Sequence, residues 1–89
     1  MKYIIAYDIA SPKRLKRIHK TLQGYAIPVQ YSIFYAELNS HMLQEMRSDV
    51  IQVIDSSEDD VRIYPINDFD VSEWNKASMH QVNSALLVI

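Results

Sequence analysis

A single aspartate, Asp8, lies near the end of an otherwise apolar stretch at the start of the chain. The seven residues from Tyr3 to Ile9 read YIIAYDI, and Asp8 is the one charged residue among them. A carboxylate in such surroundings needs a partner, a metal ion or a catalytic role. We identify Asp8 as the candidate catalytic and metal-binding residue. The alternative is that Asp8 caps the turn and the helix that follow, as aspartates often do.

Five cations follow Asp8 within thirteen residues, and we call them the basic stripe. They are Lys13, Arg14, Lys16, Arg17 and Lys20. No acid lies between them, so salt bridges along the helix cannot account for them. Cations in this arrangement bind phosphates in a salt-dependent manner that ignores sequence. The stripe therefore predicts a nucleic-acid contact, and the alternative is a helix face exposed to solvent.

Several aromatic residues have the chemistry to stack on bases. They are Tyr7, Tyr31, Phe34 and Tyr35. Their alternation along predicted strands favours core or dimer-face positions instead. We keep Tyr7 and Phe34 as candidate supporting residues. Ser32 joins them, because a position near Asp8 would let its hydroxyl contact a phosphate or a metal-bound water; the alternative is an ordinary sheet hydroxyl.

Other residues with metal-binding side chains are not predicted to form a site. The chain has no cysteine, and His19, His41 and His80 are too far apart to resemble a ligand set. The acids at 58–60 could bind a cation, but a solvated turn is the interpretation that we favour.

Composition and charge restrict the function classes. The 89 residues suit one domain, and 48% of them are hydrophobic. The net charge of −2 hides a split, because residues 1–30 carry a net +5 and residues 31–89 a net −7. A basic patch on an acidic protein is therefore expected. With no signal peptide and no apolar run of membrane length, we expect a cytoplasmic protein without a membrane partner.

The elements that position these residues follow from periodicity and capping signals. YIIAYDI is typical of a buried strand with Tyr3, Ile5 and Tyr7 on one face. Ser11 and Pro12 predict the start of a helix that ends near Gly24. The remaining predicted elements are a short strand at Ile27–Gln30, a long strand at Tyr31–Leu38 with a bulge near 30–32, a helix at about 41–54 and a strand at Asp60–Ile66.

This order predicts an α+β, ferredoxin-like βαββαβ sandwich over residues 1–66. Both helices would cover one face of the sheet, and the apolar open face predicts a face-to-face homodimer. Residues 67–89 form a tail in which Phe69 and Trp74 are expected to be anchors. The apolar residues 84–89 predict a fifth strand at the dimer edge or a docking element for a partner.

Four segments together resemble a known family, the small CRISPR-associated adaptation protein. They are YDI at residues 7–9, KRLKRIHKTL at 13–22, VQYSIFYAEL at 29–38 and DDVRIYPI at 59–66. The resemblance covers about residues 1–66, and its specificity comes from four motifs in order rather than from any one of them. The chain departs from the family at Ala26, where the family usually has glycine.

The resemblance implies a fold, a site and partners. The family is a ferredoxin-like subunit that partners the CRISPR adaptation integrase, and it is also described as a metal-dependent endonuclease. It implies that two Asp8 side chains, one from each protomer, hold Mg²⁺ across the dimer axis. A bound metal would activate a water for attack on a phosphodiester.

Two functions within CRISPR adaptation therefore compete with a third outside it. The first is a homodimeric scaffold that holds duplex DNA for the integrase. The second is a Mg²⁺-dependent endonuclease on RNA or DNA. The third is a toxin-like ferredoxin-fold ribonuclease outside CRISPR. We rank the scaffold first, because a solvent-exposed helix face explains the basic stripe less well than a capping role explains Asp8.

Overall fold

Four strands and two helices make up residues 1–66, the part of the chain that the computed structural model describes. In chain order they are β1 (Lys2–Asp8), α1 (Pro12–Gln23), β2 (Ile27–Gln30), β3 (Ile33–Glu37), α2 (Ser40–Val53) and β4 (Asp60–Ile66). The predicted βαββαβ order is confirmed. The predicted fifth strand at 84–89 and the expected anchors Phe69 and Trp74 lie outside the described residues.

β1 is one of the two inner strands of the sheet. The strand order is β2-β3-β1-β4, and each neighbouring pair is antiparallel. In this register Ile5 lies between Phe34 of β3 and Ile63 of β4. β1 is paired on both edges and buries side chains on both of its faces, with Ile5 in the main core and Ile4 buried on the other side of the sheet, which accounts for its nearly continuous apolar sequence.

Both helices pack on one face of the sheet and form the main core. Its fully buried members include Ile5 and Phe34 from the sheet, Ile18 from α1 and Met46 from α2. Each helix turns an apolar stripe toward this core: Leu22 and Val50 are also buried, and Leu15, Leu43 and Val53 pack partly buried against it. Neither described helix has the length and apolar character needed to cross a membrane.

The other side of the sheet, which we call the open face, carries a smaller apolar cluster. Ile4 and Ile33 are buried there, with 2% and 1% of their surface exposed. The residues around them are only half-buried: Val29, Tyr35, Tyr64 and Ile66. No helix among residues 1–66 covers this cluster, so its rim is available for a further contact.

The connection between β2 and β3 differs from the prediction. A bulge is present as predicted, but the pairing register shifts between Pro28 and Gln30 rather than near 30–32. The predicted start of the long strand at Tyr31 is wrong, since β3 begins at Ile33. Ser32 has a φ of 65°, which no regular strand residue adopts, and Tyr31 projects from the turn with 87% of its surface exposed. The positive φ at Ser32 is what separates the two strands.

Both ends of α1 are capped as the sequence indicates. The Ser11 hydroxyl accepts a hydrogen bond from the Arg14 backbone N–H at 3.4 Å, and Pro12 is the first helical residue. Gly24 caps the other end with an ordinary helical φ of −73°.

Ser32 is the one non-glycine residue of 1–66 with a positive φ. Ala26 therefore sits in a conformation that alanine adopts freely, and its departure from the family pattern causes no backbone strain.

Candidate nucleic-acid interface

Asp8 is the last residue of β1, and its carboxylate is exposed. By strand alternation it lies on the open face, directly across from Asp60 of β4. The Asp60 carboxylate accepts a hydrogen bond from Nε of Arg62 at 2.8 Å. The Asp8 carboxylate accepts no hydrogen bond from any residue of 1–66. Its oxygens are therefore available to solvent, a metal ion or a ligand.

Other residues fill the capping role that the sequence left open for Asp8. The Ala10 N–H, two residues after Asp8, donates to Oδ1 of Asp59 at 2.9 Å. The N-terminus of α1 is capped by Ser11. Capping thus gives no reason for an aspartate at position 8.

Asp59 is a buried acceptor that the sequence did not reveal. Its side chain has no exposed surface, and it accepts four hydrogen bonds. The donors are the Ala10 N–H at 2.9 Å, the Asp55 N–H at 2.8 Å, and Nε and a terminal nitrogen of Arg14 at 2.7 and 3.1 Å. The Arg14 guanidinium, with help from these N–H groups, holds the pKa of Asp59 well below its usual range. The prediction of a solvated turn is therefore wrong for Asp59.

The same contacts remove Arg14 from the basic stripe. Its guanidinium also donates to Glu58 at 2.9 Å, and only 23% of its side chain is exposed. Binding a phosphate would require Arg14 to give up these ion pairs, so the expectation that it contacts nucleic acid is not supported. A hint was present in the sequence: Arg14 lies off the i, i+3, i+4, i+7 pattern of the other four cations.

The remaining four cations form a continuous exposed face of α1. They are Lys13, Lys16, Arg17 and Lys20, and none pairs with an acid of residues 1–66. The seven residue steps from Lys13 to Lys20 extend about 10 Å along the helix. Duplex DNA carries one charge per roughly 1.7 Å of its axis, so this face is as long as a duplex segment with about six phosphate charges. From here on, the basic stripe means these four residues.

The three supporting residues do not surround Asp8. Phe34 is fully buried beneath the helices, and the Tyr7 ring packs near it with the ring centroids 6.0 Å apart. Both lie on the opposite face of the sheet from Asp8. Burial, with a smaller effect from Tyr31, raises the pKa of Tyr7. Ser32 accepts the Tyr7 backbone N–H through its carbonyl at 3.1 Å and so lies beside Tyr7. Tyr7 and Phe34 therefore do not face the Asp8 carboxylate, whereas Ser32 is hydrogen-bonded to the residue that precedes Asp8.

The oxygen ligands around Asp8 fit Mg²⁺ only in part. Among residues 1–66, no three His, Cys, Asp or Glu side chains lie close enough together to hold a metal. Asp8 has a free carboxylate, whereas Asp60 beside it is engaged by Arg62. Because Mg²⁺ takes one or two carboxylates and keeps several waters, Asp8 fits as one ligand of such a site. A second carboxylate ligand has to come from outside residues 1–66 of the same chain.

Comparisons with known sequences agree with these features. Residues 1–74 match the family described as CRISPR associated protein Cas2. A relative from Thermodesulfovibrio yellowstonii, named CRISPR-associated endoribonuclease Cas2 2, is 39% identical over 66 residues, which are 74% of this chain and 72% of that protein. A Synechocystis relative, named CRISPR-associated endoribonuclease Cas2 3, is 29% identical over 89 residues and covers 97% of each chain.

Solved structures show the same arrangement of strands and helices. A hypothetical protein from Thermus thermophilus superposes with a TM-score of 0.73 at 32% identity, covering 74% of this chain and 80% of that one. Streptococcus pyogenes Cas2, crystallised at pH 6.5, gives a TM-score of 0.71 at 25% identity over 85% and 93% of the two chains. With a family match over most of its length and the fold of solved Cas2 structures, the chain belongs to the CRISPR-associated protein Cas2 family.

Proposed function

We propose that the chain is a CRISPR adaptation subunit that binds duplex DNA as a homodimer and scaffolds the integrase. A Mg²⁺-dependent endonuclease activity at a pair of Asp8 residues is its second role. The observation that carries the proposal is the basic stripe, four exposed cations without acidic partners among residues 1–66, in a chain of the Cas2 family. Family membership also weighs against a toxin-like ribonuclease outside CRISPR.

The stripe is presented on a rigid support. Ile18 and Leu22 bury the opposite side of α1, Ser11 caps its first turn, and Arg14 ties it to Asp59. The four cations therefore keep a fixed spacing, and binding orders only their side chains. Each phosphate that they neutralise releases counterions and adds about −0.9 to the slope of log affinity against log salt. One protomer contributes a slope of up to roughly −3.6 in this way.

The open face supports the homodimer. Its half-buried residues, Tyr35 and Tyr64 among them, surround the buried pair Ile4 and Ile33. Pairing two copies through this face would cover the rim and bring two Asp8 side chains toward a two-fold axis. That arrangement supplies the second carboxylate which one chain lacks.

The chemistry at Asp8 would be metal-assisted hydrolysis. When bound, Mg²⁺ supplies an activated water and stabilises the charge that develops on the phosphodiester. Asp8 would hold the ion through its free carboxylate, and the stripe would hold the nucleic acid through its backbone. The names of the relatives favour RNA as the substrate that is cleaved. Backbone contacts from the stripe accept either nucleic acid, so cleavage and duplex binding need not share a substrate.

Charge reversal of the stripe tests the proposal. Lys16→Glu, Arg17→Glu and Lys20→Glu combined should weaken binding of a fluorescent DNA duplex at least tenfold at about 50 mM salt and flatten the salt slope by roughly 3. Fluorescence anisotropy from about 50 to 200 mM salt measures both quantities.

The control is Arg47→Glu, matched to the single reversal Arg17→Glu within the stripe, because Arg47 is an exposed cation on α2 without an ion pair among residues 1–66. It should reduce the affinity much less than the stripe variant does. Equal affinities of the wild type and the stripe variant would show that the stripe is not the interface.

A further inference from the structure

A groove of about 310 Å³ opens between the first half of α1 and the turn that joins β2 to β3. We call it the Tyr31 groove. The residues that matter for its chemistry are Tyr7, Lys16, His19, Tyr31 and Ser32. It lies on the helix side of the sheet, so it is separate from Asp8 on the open face. Lys16 belongs both to this groove and to the basic stripe.

Two aromatic side chains define the groove. Tyr31 is 87% exposed, and the positive φ of Ser32 sets the turn from which it projects. Such a backbone conformation is costly for a non-glycine residue and is concentrated at binding sites. His19 is half-buried and packs edge-on against Phe34, with the ring centroids 5.1 Å apart and the planes at 67°. The groove is thus lined by the His19 imidazole, which packs against Phe34, and by the exposed ring of Tyr31.

The size and charge of the groove select its ligand. Its volume lies at the lower end of the range for small-molecule pockets and suits one nucleotide. A duplex resting on the stripe is too wide to enter, whereas a single unpaired base is not. Lys16 places a cation at the junction of the groove and the stripe, where the phosphate of such a nucleotide would lie.

We propose that the Tyr31 groove receives one unpaired nucleotide of a nucleic acid bound along the basic stripe, with its base against Tyr31 and its phosphate on Lys16. The inference rests on the proposed binding of nucleic acid by the stripe. It adds that the preferred substrate carries an unpaired end or a splayed base. Stacking of one base on an aromatic side chain predicts about a 5- to 150-fold preference for that substrate.

Two probes test the preference with the full chain. One is a fluorescent blunt duplex, and the other is the same duplex with one unpaired nucleotide at an end. Wild type should bind the second more tightly by the factor given above, and Tyr31→Ala should remove this preference. Tyr31→Phe keeps the ring and should keep the preference. Ile51→Ala removes an exposed apolar side chain from α2, at 68% exposure, and should also keep it. Equal binding of both probes by wild type, or an undiminished preference in Tyr31→Ala, overturns the inference.

A third probe separates this inference from the proposed function. A 5′-phosphorylated dinucleotide of thymidine, titrated into the labelled protein, should shift the NMR signals of His19, Tyr31 and Ser32 in a saturable manner. Such shifts without any duplex binding would support nucleotide binding in the groove and contradict the binding of nucleic acid by the stripe. Duplex binding without shifts at these three residues would support the stripe proposal and contradict nucleotide binding in the groove.

Discussion

The carboxylate of Asp59 and the guanidinium of Arg14 meet in a two-pronged contact, at 2.7 Å to Nε and 3.1 Å to a terminal nitrogen. The pair joins the first turn of α1 to the turn between α2 and β4. Oδ1 of Asp59 also accepts the Ala10 N–H, which lies in the loop between Asp8 and α1. One buried carboxylate therefore sets the position of the basic stripe relative to Asp8.

Asp59→Asn should lower the thermal stability of the protein at pH 7. The amide keeps the shape of the side chain but leaves the Arg14 cation without its buried partner. The pKa of Asp59 in the folded protein lies below its unfolded value of about 3.9, so the stabilisation is present above pH 4 and is lost as the pH falls further. Melting curves followed by circular dichroism from pH 7 to 2.5 should show the difference between wild type and variant shrinking below about pH 4.

Glu37→Gln is the control for that series, because Glu37 is exposed and has no ion pair among residues 1–66. It should melt like wild type at every pH. A difference between wild type and Asp59→Asn that stays constant down to pH 2.5 would contradict a role for the ionised carboxylate.

Arg14→Gln should affect stability and Lys16→Gln should affect duplex binding, although the two cations are only two residues apart. Arg14→Gln breaks the contact with Asp59 and should lower the melting temperature. Lys16→Gln removes an exposed charge and should change the free energy of unfolding by no more than about 0.5 kcal/mol. It should instead lower the salt slope of duplex binding by about 1. Melting curves and anisotropy on the same two preparations measure both effects. If Arg14→Gln lost more of the salt slope than Lys16→Gln, Arg14 would belong to the interface.

The fold was largely predictable because its signals are local. Ser11 and Pro12 mark the start of α1, and apolar spacing identifies the buried sides of both helices. Alternation places Ile5 and Ile4 on opposite faces of β1. The start of β3 was missed because nothing in the types of its neighbours indicates a positive φ at Ser32.

The candidate site was only partly predictable, because its decisive contact is not local. Arg14 and Asp59 are 45 residues apart, and rules for neighbours on a helix cannot pair them. From the sequence alone, Arg14 is therefore expected to be a free cation and Asp59 a solvated acid. The position of Asp8 at the end of β1 was predicted, since it depends only on the length of the strand.

Tyr35→Glu should convert the proposed homodimer to a monomer. Tyr35 is half-buried on the open face, paired across the strands with Ile4 and Ile27. A carboxylate there would lose its hydration at a face-to-face interface. Sedimentation velocity over a range of concentrations measures the change. Ile51→Glu, on the exposed surface of α2, should leave the association constant unchanged, and an unchanged constant in Tyr35→Glu would place the interface elsewhere.

Gly24→Ala should stabilise the protein. Gly24 has a helical φ of −73°, and an added Cβ would meet the Thr21 carbonyl oxygen at 3.4 Å, an ordinary contact. Alanine restricts the unfolded chain at no steric cost here, which is worth about 0.4–1 kcal/mol. The melting temperature should rise by roughly 2–8 °C. A lower melting temperature would show that the end of α1 needs a conformation that only glycine adopts.

Asp8→Asn should separate the proposed catalysis from the proposed binding of nucleic acid. The carboxylate accepts no hydrogen bond from residues 1–66 and lies opposite another acid, Asp60, so the amide should leave the melting temperature and the dimer intact or slightly stabilised. Cleavage of RNA or DNA that depends on Mg²⁺ and is stopped by a chelator should disappear, because the amide is a poor ligand for the ion. Duplex affinity and spacer acquisition in cells should persist, since the basic stripe on α1 is unchanged. Loss of acquisition would overturn the scaffold role, and undiminished Mg²⁺-dependent cleavage would assign that chemistry to other residues.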